Sequence, residues 1–377
     1  MIIYIIKSQL HNLRGISMQR AFNFNAGPSA LPLEVLQIAQ AEFLNYNGTG
    51  MSVMELSHRS NEYDKVHQRA KTSFKELLQI SDDYEVLFLQ GGASLQFSML
   101  PLNLLAKDKT AAYILTGEWS EKAFKEAKKL GHAKVIASSQ EENYTYIPSH
   151  ANLSLSSQTA YLHITSNNTI YGTQWHSYPE LVDIPLIADM SSDILSKKVN
   201  IDQFSLIYAG AQKNLGPAGV TVVIIKKELL TKIPEHIPTF LNYGTHVKQN
   251  SLYNTPPTFS IYILALVLDW VKNQGGLDAI ETRNKEKASL IYQCIDKSDG
   301  FYTPHAKQDS RSNMNITFTL PTEELTNCFL SQAKENGFSG LNGHRSIGGC
   351  RASIYNAVPL ESCQALVKFM EKFRQIN

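Results

Sequence analysis

Lys213 lies in the segment Tyr208-Ala209-Gly210-Ala211-Gln212-Lys213-Asn214-Leu215-Gly216-Pro217-Ala218-Gly219, one cation among small residues and turn formers after an apolar run. An amine attacks a carbonyl only when neutral. A sheltered, mostly apolar setting makes its charged form costly, so this lysine is a candidate to condense with an aldehyde, and its small neighbours leave room for a planar ring. The competing reading is a surface lysine in a loop, the ordinary fate of this residue type. Asp189 closes the apolar run Pro185-Leu186-Ile187-Ala188, which places a carboxylate at the C-terminal end of a strand, where open α/β sheets bind ligands. There it can pair with a protonated ring nitrogen and strengthen the ring as an electron sink. Equally, it can cap the turn begun by Ser191, Ser192 and Asp193.

Other segments add anion-binding and stacking chemistry. Gln90-Gly91-Gly92-Ala93-Ser94 joins a strand to a helix, so first-turn amides and the Ser94 hydroxyl can hold a phosphate against the positive end of the helix dipole. Glycines are common at such turns for steric reasons alone, and the segment is neither a Walker motif nor G-x-G-x-x-G. In Thr116-Gly117-Glu118-Trp119-Ser120 the tryptophan is placed to stack on a flat ring or to serve as a core residue. Gly343-His344-Arg345-Ser346-Ile347-Gly348-Gly349-Cys350-Arg351 carries two arginines and a histidine in a glycine-rich loop; arginine forks bind carboxylate and phosphate bidentately. Ser57-His58-Arg59 is a smaller pairing of the same kind.

The elements that must position these residues follow from periodicity. From about residue 85, short apolar runs alternate with longer amphipathic stretches, the pattern of a mainly parallel sheet with crossing helices. Strands are expected at residues 85–89, 111–115, 133–137, 159–164, 186–189, 206–209 and 220–225, with helices at 94–105, interrupted or bent by Pro101, and 119–130. A long apolar helix at 258–273 ends at Gly275-Gly276, which supplies a left-handed C-cap and the domain boundary. Beyond it, helices at 277–296 and 323–336 and strands at 314–320 and 351–355 compose a smaller α/β domain. No repeat, heptad or low-complexity tract is present.

A chain of 377 residues suits two domains, and 35 Lys plus Arg against 34 Asp plus Glu gives no field to attract nucleic acid or an anionic membrane. An anionic ligand must therefore be caught by local charge. Cys294, Cys328, Cys350 and Cys363 show no C-x-x-C pairing, so no metal site is read, and free thiols in a reducing cytoplasm are the simplest reading. The run Ile2-Ile3-Tyr4-Ile5-Ile6 is too short for a membrane span and lacks a signal-peptide pattern. Residues 1–17 read as an extension or a mis-annotated start ahead of Met18, with no function assigned.

Taken together, Asn23-Phe24-Asn25-Ala26-Gly27-Pro28, Glu55-Leu56-Ser57-His58-Arg59, the Gly91-Gly92 turn, Ala209 to Asn214, Gly343-His344-Arg345 and Arg351-Ala352-Ser353 resemble the phosphoserine aminotransferase family. These are class V members of the aspartate aminotransferase (type I) fold family of pyridoxal-phosphate (PLP) enzymes, and the resemblance covers essentially everything after residue 18. It implies an α/β fold with a large PLP-binding domain at 33–272, built on a mainly parallel seven-stranded sheet, and a small domain from 18–32 and 273–377. It implies a Schiff base on Lys213, with Asp189 at the pyridine nitrogen, Trp119 stacked on the ring and Thr169 at its phenolic oxygen. Ala93, Ser94 and Gln212 would hold the cofactor phosphate, and Asn254 and Thr255 would reach that of the neighbouring subunit in an obligate homodimer. Arg351 would bind the substrate α-carboxylate, and His58, Arg59, His344 and Arg345 the distal phosphate or carboxylate.

The implied reaction is ping-pong transamination between L-glutamate and 3-phosphohydroxypyruvate, giving O-phospho-L-serine and 2-oxoglutarate in serine biosynthesis. The related 3-hydroxy-2-oxo-4-phosphooxybutanoate of pyridoxine biosynthesis is the second keto acid to consider. The chain departs from many relatives at Ala26, where they carry serine, and from some at Ala93-Ser94, where they carry arginine; a backbone amide can substitute for the lost hydroxyl. Two rivals remain. One is another class V PLP enzyme, such as a further transaminase or a cysteine desulfurase; a desulfurase would need an exposed nucleophilic cysteine, for which Cys350 in the Gly-Arg loop is the candidate. A non-catalytic PLP-binding protein would be expected to lose substrate arginines, yet Arg59, Arg345 and Arg351 are all present.

Overall fold

The computed structural model describes residues 20–150 and 153–377, so the proposed extension at 1–17 lies outside the described residues. Seven strands form the central sheet: β1 (Tyr84–Leu89), β2 (Thr110–Leu115), β3 (His132–Ser138), β4 (Thr159–Thr165), β5 (Leu186–Asp189), β6 (Leu206–Gly210) and β7 (Thr221–Lys226), in the order β1-β7-β6-β5-β4-β2-β3. Only β7 runs antiparallel, pairing Val223 with both Leu87 and Tyr208. The other six strands therefore point the same way and deliver their C-terminal ends to one edge.

Both faces of the sheet are covered, which is why its strands read as continuous apolar runs. Alternate residues go to opposite sides. Val86, Phe88, Ile114, Leu162 and Ile164 join the cluster under helices α2 (Asn61–Leu78) and α5 (Thr258–Asn273). Leu87, Leu89, Tyr113, Tyr161 and Tyr208 join the cluster under α3 (Gly92–Leu104) and α4 (Glu118–Leu130). Helix α1 (Leu33–Glu42) and the buried Val35 and Ala39 close a smaller cluster against Tyr262 and Leu266 of α5. The expected interruption at Pro101 does not occur: the helix continues to Leu104, and Leu105 N–H closes it on the Pro101 carbonyl at 3.0 Å.

A separate core gathers α6 (Gly276–Asp296), the antiparallel sheet β8 (Thr303–Pro304), β9 (Asn315–Thr319) and β10 (Cys350–Ser353), then α7 (Glu323–Glu335) and α8 (Leu360–Ile376). Phe24 belongs to this core, and the short strand Phe22–Asn23 pairs in parallel with Phe338–Ser339. Residues 22–24 thus pack with the last third of the chain. Gly275 and Gly276 have φ of +94° and +71°, the left-handed stop expected between α5 and α6. Among the described residues, no helix is long and apolar enough to cross a membrane.

Candidate active site at the strand ends

Every residue singled out for ring or phosphate chemistry except Asn254 and Thr255 leaves the sheet at this one edge. Gly91 to Ser94 follow β1, Trp119 follows β2, Thr169 follows β4, Asp189 ends β5, and Lys213 lies three residues past β6. Lys213 Nζ donates to Thr169 Oγ1 at 2.6 Å and stands 5.7 Å from the centroid of the Trp119 ring. Burial pushes the Lys213 amine down from 10.5 to about 8; Asp189 and Asp193 oppose that shift, and the Arg351 guanidinium adds to it. The amine is accordingly neutral far more often near pH 7 than a surface lysine.

Asp189 is buried, and burial raises its carboxyl above the usual carboxylate range, opposed first by the Ser191 hydroxyl and then by Lys213. Its Oδ1 accepts from the Ser191 N–H at 2.9 Å, so the residue does cap its own turn, the alternative the sequence left open. Among the described residues, its Oδ2 has no hydrogen-bond partner. Thr169 links Lys213 to Arg351: its hydroxyl accepts from Lys213 while its carbonyl accepts from Arg351 at 3.2 Å.

Buried donors without partners face this region. They include Trp119 Nε1 and Arg351 Nε. At the start of α3, Gly91 has φ of +87° and no side chain caps the first turn, leaving first-turn amides free for an anion. A Cβ on Gly91 would fall 2.6 Å from Leu95 Cβ, so only glycine makes the turn. Gln212 is partly buried beside Lys213, and its carbonyl accepts from Ser29 N–H at 3.0 Å. An aldehyde-bearing, phosphorylated, planar ring finds an amine, a stacking face, a carboxylate and an amide cradle in these residues.

His344 lies beside the residue preceding Trp119: its Nδ1 is 3.7 Å from Glu118 Oε2 and 2.7 Å from Ser346 Oγ. Burial lowers its pKa, with Glu118 opposing. Arg345 is exposed in the same loop. Among the described residues, no hydrogen bond or ion pair joins the other expected residues to Lys213. His58 is half-buried with an unpartnered Nε2 and Arg59 is exposed, both just ahead of α2. Asn254 and Thr255 are exposed, with the Thr255 carbonyl accepting from Gln90 Nε2 at 3.2 Å.

The reading of Cys350 as a loop nucleophile is corrected. It begins β10, is fully buried, and burial pushes its thiol up to about 12, the reverse of what an exposed desulfurase thiolate needs. The sequence reading also passed over Ser29, whose hydroxyl donates to the Lys213 carbonyl, and Glu118, which pairs with Lys122 at 2.7 Å beside Trp119. Nothing in the composition around Ser29 signals a contact across 184 positions.

A mainly parallel sheet with a half-buried, readily neutral lysine and a strand-end aspartate fits a PLP enzyme, and similarity to known proteins makes this chain a PLP-dependent aminotransferase. The chain belongs to the class V aminotransferase family, whose description, Aminotransferase class-V, matches residues 21–366. It is 64% identical over 358 residues to the phosphoserine aminotransferase of Geobacillus kaustophilus, covering 95% of this chain and 99% of that protein. A solved structure described as radiation damage of the Schiff base in phosphoserine aminotransferase superposes with a TM-score of 0.94 at 60% identity, covering 95% of this chain and 100% of that one. The PLP-bound phosphoserine aminotransferase of Trichomonas vaginalis gives a TM-score of 0.89 at 38% identity, covering 93% of this chain and 100% of the other. The cofactor is PLP.

Proposed function

We propose that this enzyme moves the amino group of L-glutamate to 3-phosphohydroxypyruvate, forming 2-oxoglutarate and O-phospho-L-serine. The observation that carries the reading is the sharing of Thr169 by Lys213 and Arg351, which sets a proton-accepting amine beside a guanidinium with an unpartnered Nε. Names of close relatives support the substrate pair.

When bound, PLP supplies an electron sink for the substrate α-carbon. Trp119, Ala93, Ser94, Gln212, Thr169 and Asp189 hold and orient it. The Lys213 amine, once free, takes and returns the α-proton, a task suited to a group titrating near the working pH. Arg351 binds the α-carboxylate, while His344, Arg345, His58 and Arg59 bind the distal phosphate or carboxylate that both substrates carry.

Residues stranded away from Lys213 fit a homodimer. Leu33, Ile38, Phe43, Leu44, Met51, Met54 and Tyr253 are exposed apolar side chains, with Leu44 81% accessible, and they flank His58, Arg59, Asn254 and Thr255 in sequence. A second copy covering this face brings those polar residues to its own neighbour's site. The separate core that joins Phe24 to the last third of the chain supports a division into a 33–272 domain and a domain of 18–32 with 273–377, with Leu277 and Ile280 of α6 packed back onto the sheet. Four free thiols suit the cytoplasm. The test is production of O-phosphoserine from glutamate and 3-phosphohydroxypyruvate by the purified enzyme. Turnover of other keto acids with none of this one would overturn the assignment.

A further inference from the structure

Ser191 is buried two residues past Asp189, outside the residues assigned above to cofactor or substrate. Its hydroxyl donates to Asp189 Oδ1 at 2.6 Å, and its backbone N–H donates to the same oxygen at 2.9 Å. The hydroxyl in turn accepts from the Gly210 N–H at 3.0 Å. Gly210 ends β6, the strand that leads through Ala211 and Gln212 to Lys213.

A hydroxyl has one proton and two lone pairs. With the Gly210 amide on a lone pair, the proton is left for Asp189, and the chain of donors polarises in one direction. Oδ1 is thus an acceptor twice over. Any proton that burial drives onto this carboxyl must sit on Oδ2, and no described residue hydrogen-bonds that oxygen. One side chain therefore sets which carboxylate oxygen is free and ties it to the backbone that carries the lysine.

We propose that Ser191 is a positioning residue for amino transfer: its hydroxyl holds Asp189 as an acceptor with Oδ2 open to the cofactor nitrogen and fixes that carboxylate relative to the Lys213 turn. This rests on the assignment of Asp189 and Lys213 to the cofactor made above. Ser191 acts through Asp189, and its removal weakens the hold on the ring proton. A ring nitrogen that keeps its proton withdraws electrons from the Lys213–cofactor linkage and makes the linking nitrogen a weaker base, so loosening that hold raises the pH at which the linkage titrates.

The experiment is a pH titration of the visible absorbance of the holoenzyme, with cofactor retention measured by dialysis. Ser191→Ala is expected to raise the midpoint by about one pH unit and weaken retention about tenfold, the loss of one charge-assisted hydrogen bond. Ser191→Thr, which keeps the hydroxyl, returns the midpoint to that of the parent. Ser191→Cys, a weaker donor, gives an intermediate shift and preserves the comparison if the alanine variant does not fold. A purely turn-forming serine would lower the melting temperature and leave the midpoint in place, and that result overturns the proposal. A parent enzyme with no visible cofactor band, or one whose borohydride-reduced cofactor is found on a lysine other than Lys213, would instead overturn the Lys213 assignment itself.

Discussion

Titrating the Lys213 amine in cofactor-free protein tests the electrostatics on which the proposed chemistry depends. Burial takes this amine from 10.5 to about 8. At pH 7 that difference makes the neutral form about 300-fold more populated than on an ordinary lysine, roughly a tenth of molecules. The two nearest opposing influences give signs that can be checked separately. Asp189→Asn removes an anion that favours the ammonium, so the midpoint falls below that of the parent. Arg351→Gln removes a cation that repels it, so the midpoint rises. Competitive acetylation across pH, read by peptide mass spectrometry with surface lysines as internal reference, gives the midpoint directly. A Lys213 that acetylates with the surface lysines near 10.5, or variants that move it in the opposite directions, would refute the reasoning.

Other consequences follow from the same site. Trp119→Ala removes the stacking face 5.7 Å from Lys213 Nζ and should weaken PLP retention by about tenfold or more, read by equilibrium dialysis. Gly91→Ala forces a left-handed backbone and a 2.6 Å approach to Leu95, costing about 1–3 kcal/mol of stability and disturbing the phosphate cradle; denaturant unfolding and cofactor retention both report it. Leu44→Asp on the exposed apolar face should yield monomers by sedimentation, with activity falling in parallel. Cys350→Ala should retain transamination and lose only modest stability, since the buried thiol takes no part in the reaction.

Much of the sheet was legible because strands buried on both faces leave apolar runs that differ plainly from the amphipathic helices between them. The direction of β7 was not, since composition does not distinguish an antiparallel strand in such a sheet. Helix α2 was overlooked although it carries a signal: the Ser60 hydroxyl caps it at Tyr63 N–H, and Tyr63, Val66, Ala70 and Phe74 recur at helical spacing. Helix α1 offers little, with no side-chain cap and a weakly sided pattern. Helix α8 also went unread, although Cys363, Leu366, Met370 and Phe373 mark its buried face. At the site, Lys213, Asp189 and the glycine turn announced themselves by residue type at strand ends. Thr169 entered only through family resemblance. Ser191 was visible but read as a turn former, because its bond to Gly210 crosses between strands and leaves no trace in local sequence.

The half-reaction with glutamate tests the central claim most directly. Adding L-glutamate alone to the holoenzyme should convert the visible cofactor band to that of the amine form with one 2-oxoglutarate released per site, and 3-phosphohydroxypyruvate should then restore the band with one O-phosphoserine formed. An unchanged band with glutamate, or restoration by 3-phosphohydroxypyruvate without O-phosphoserine, would contradict the account.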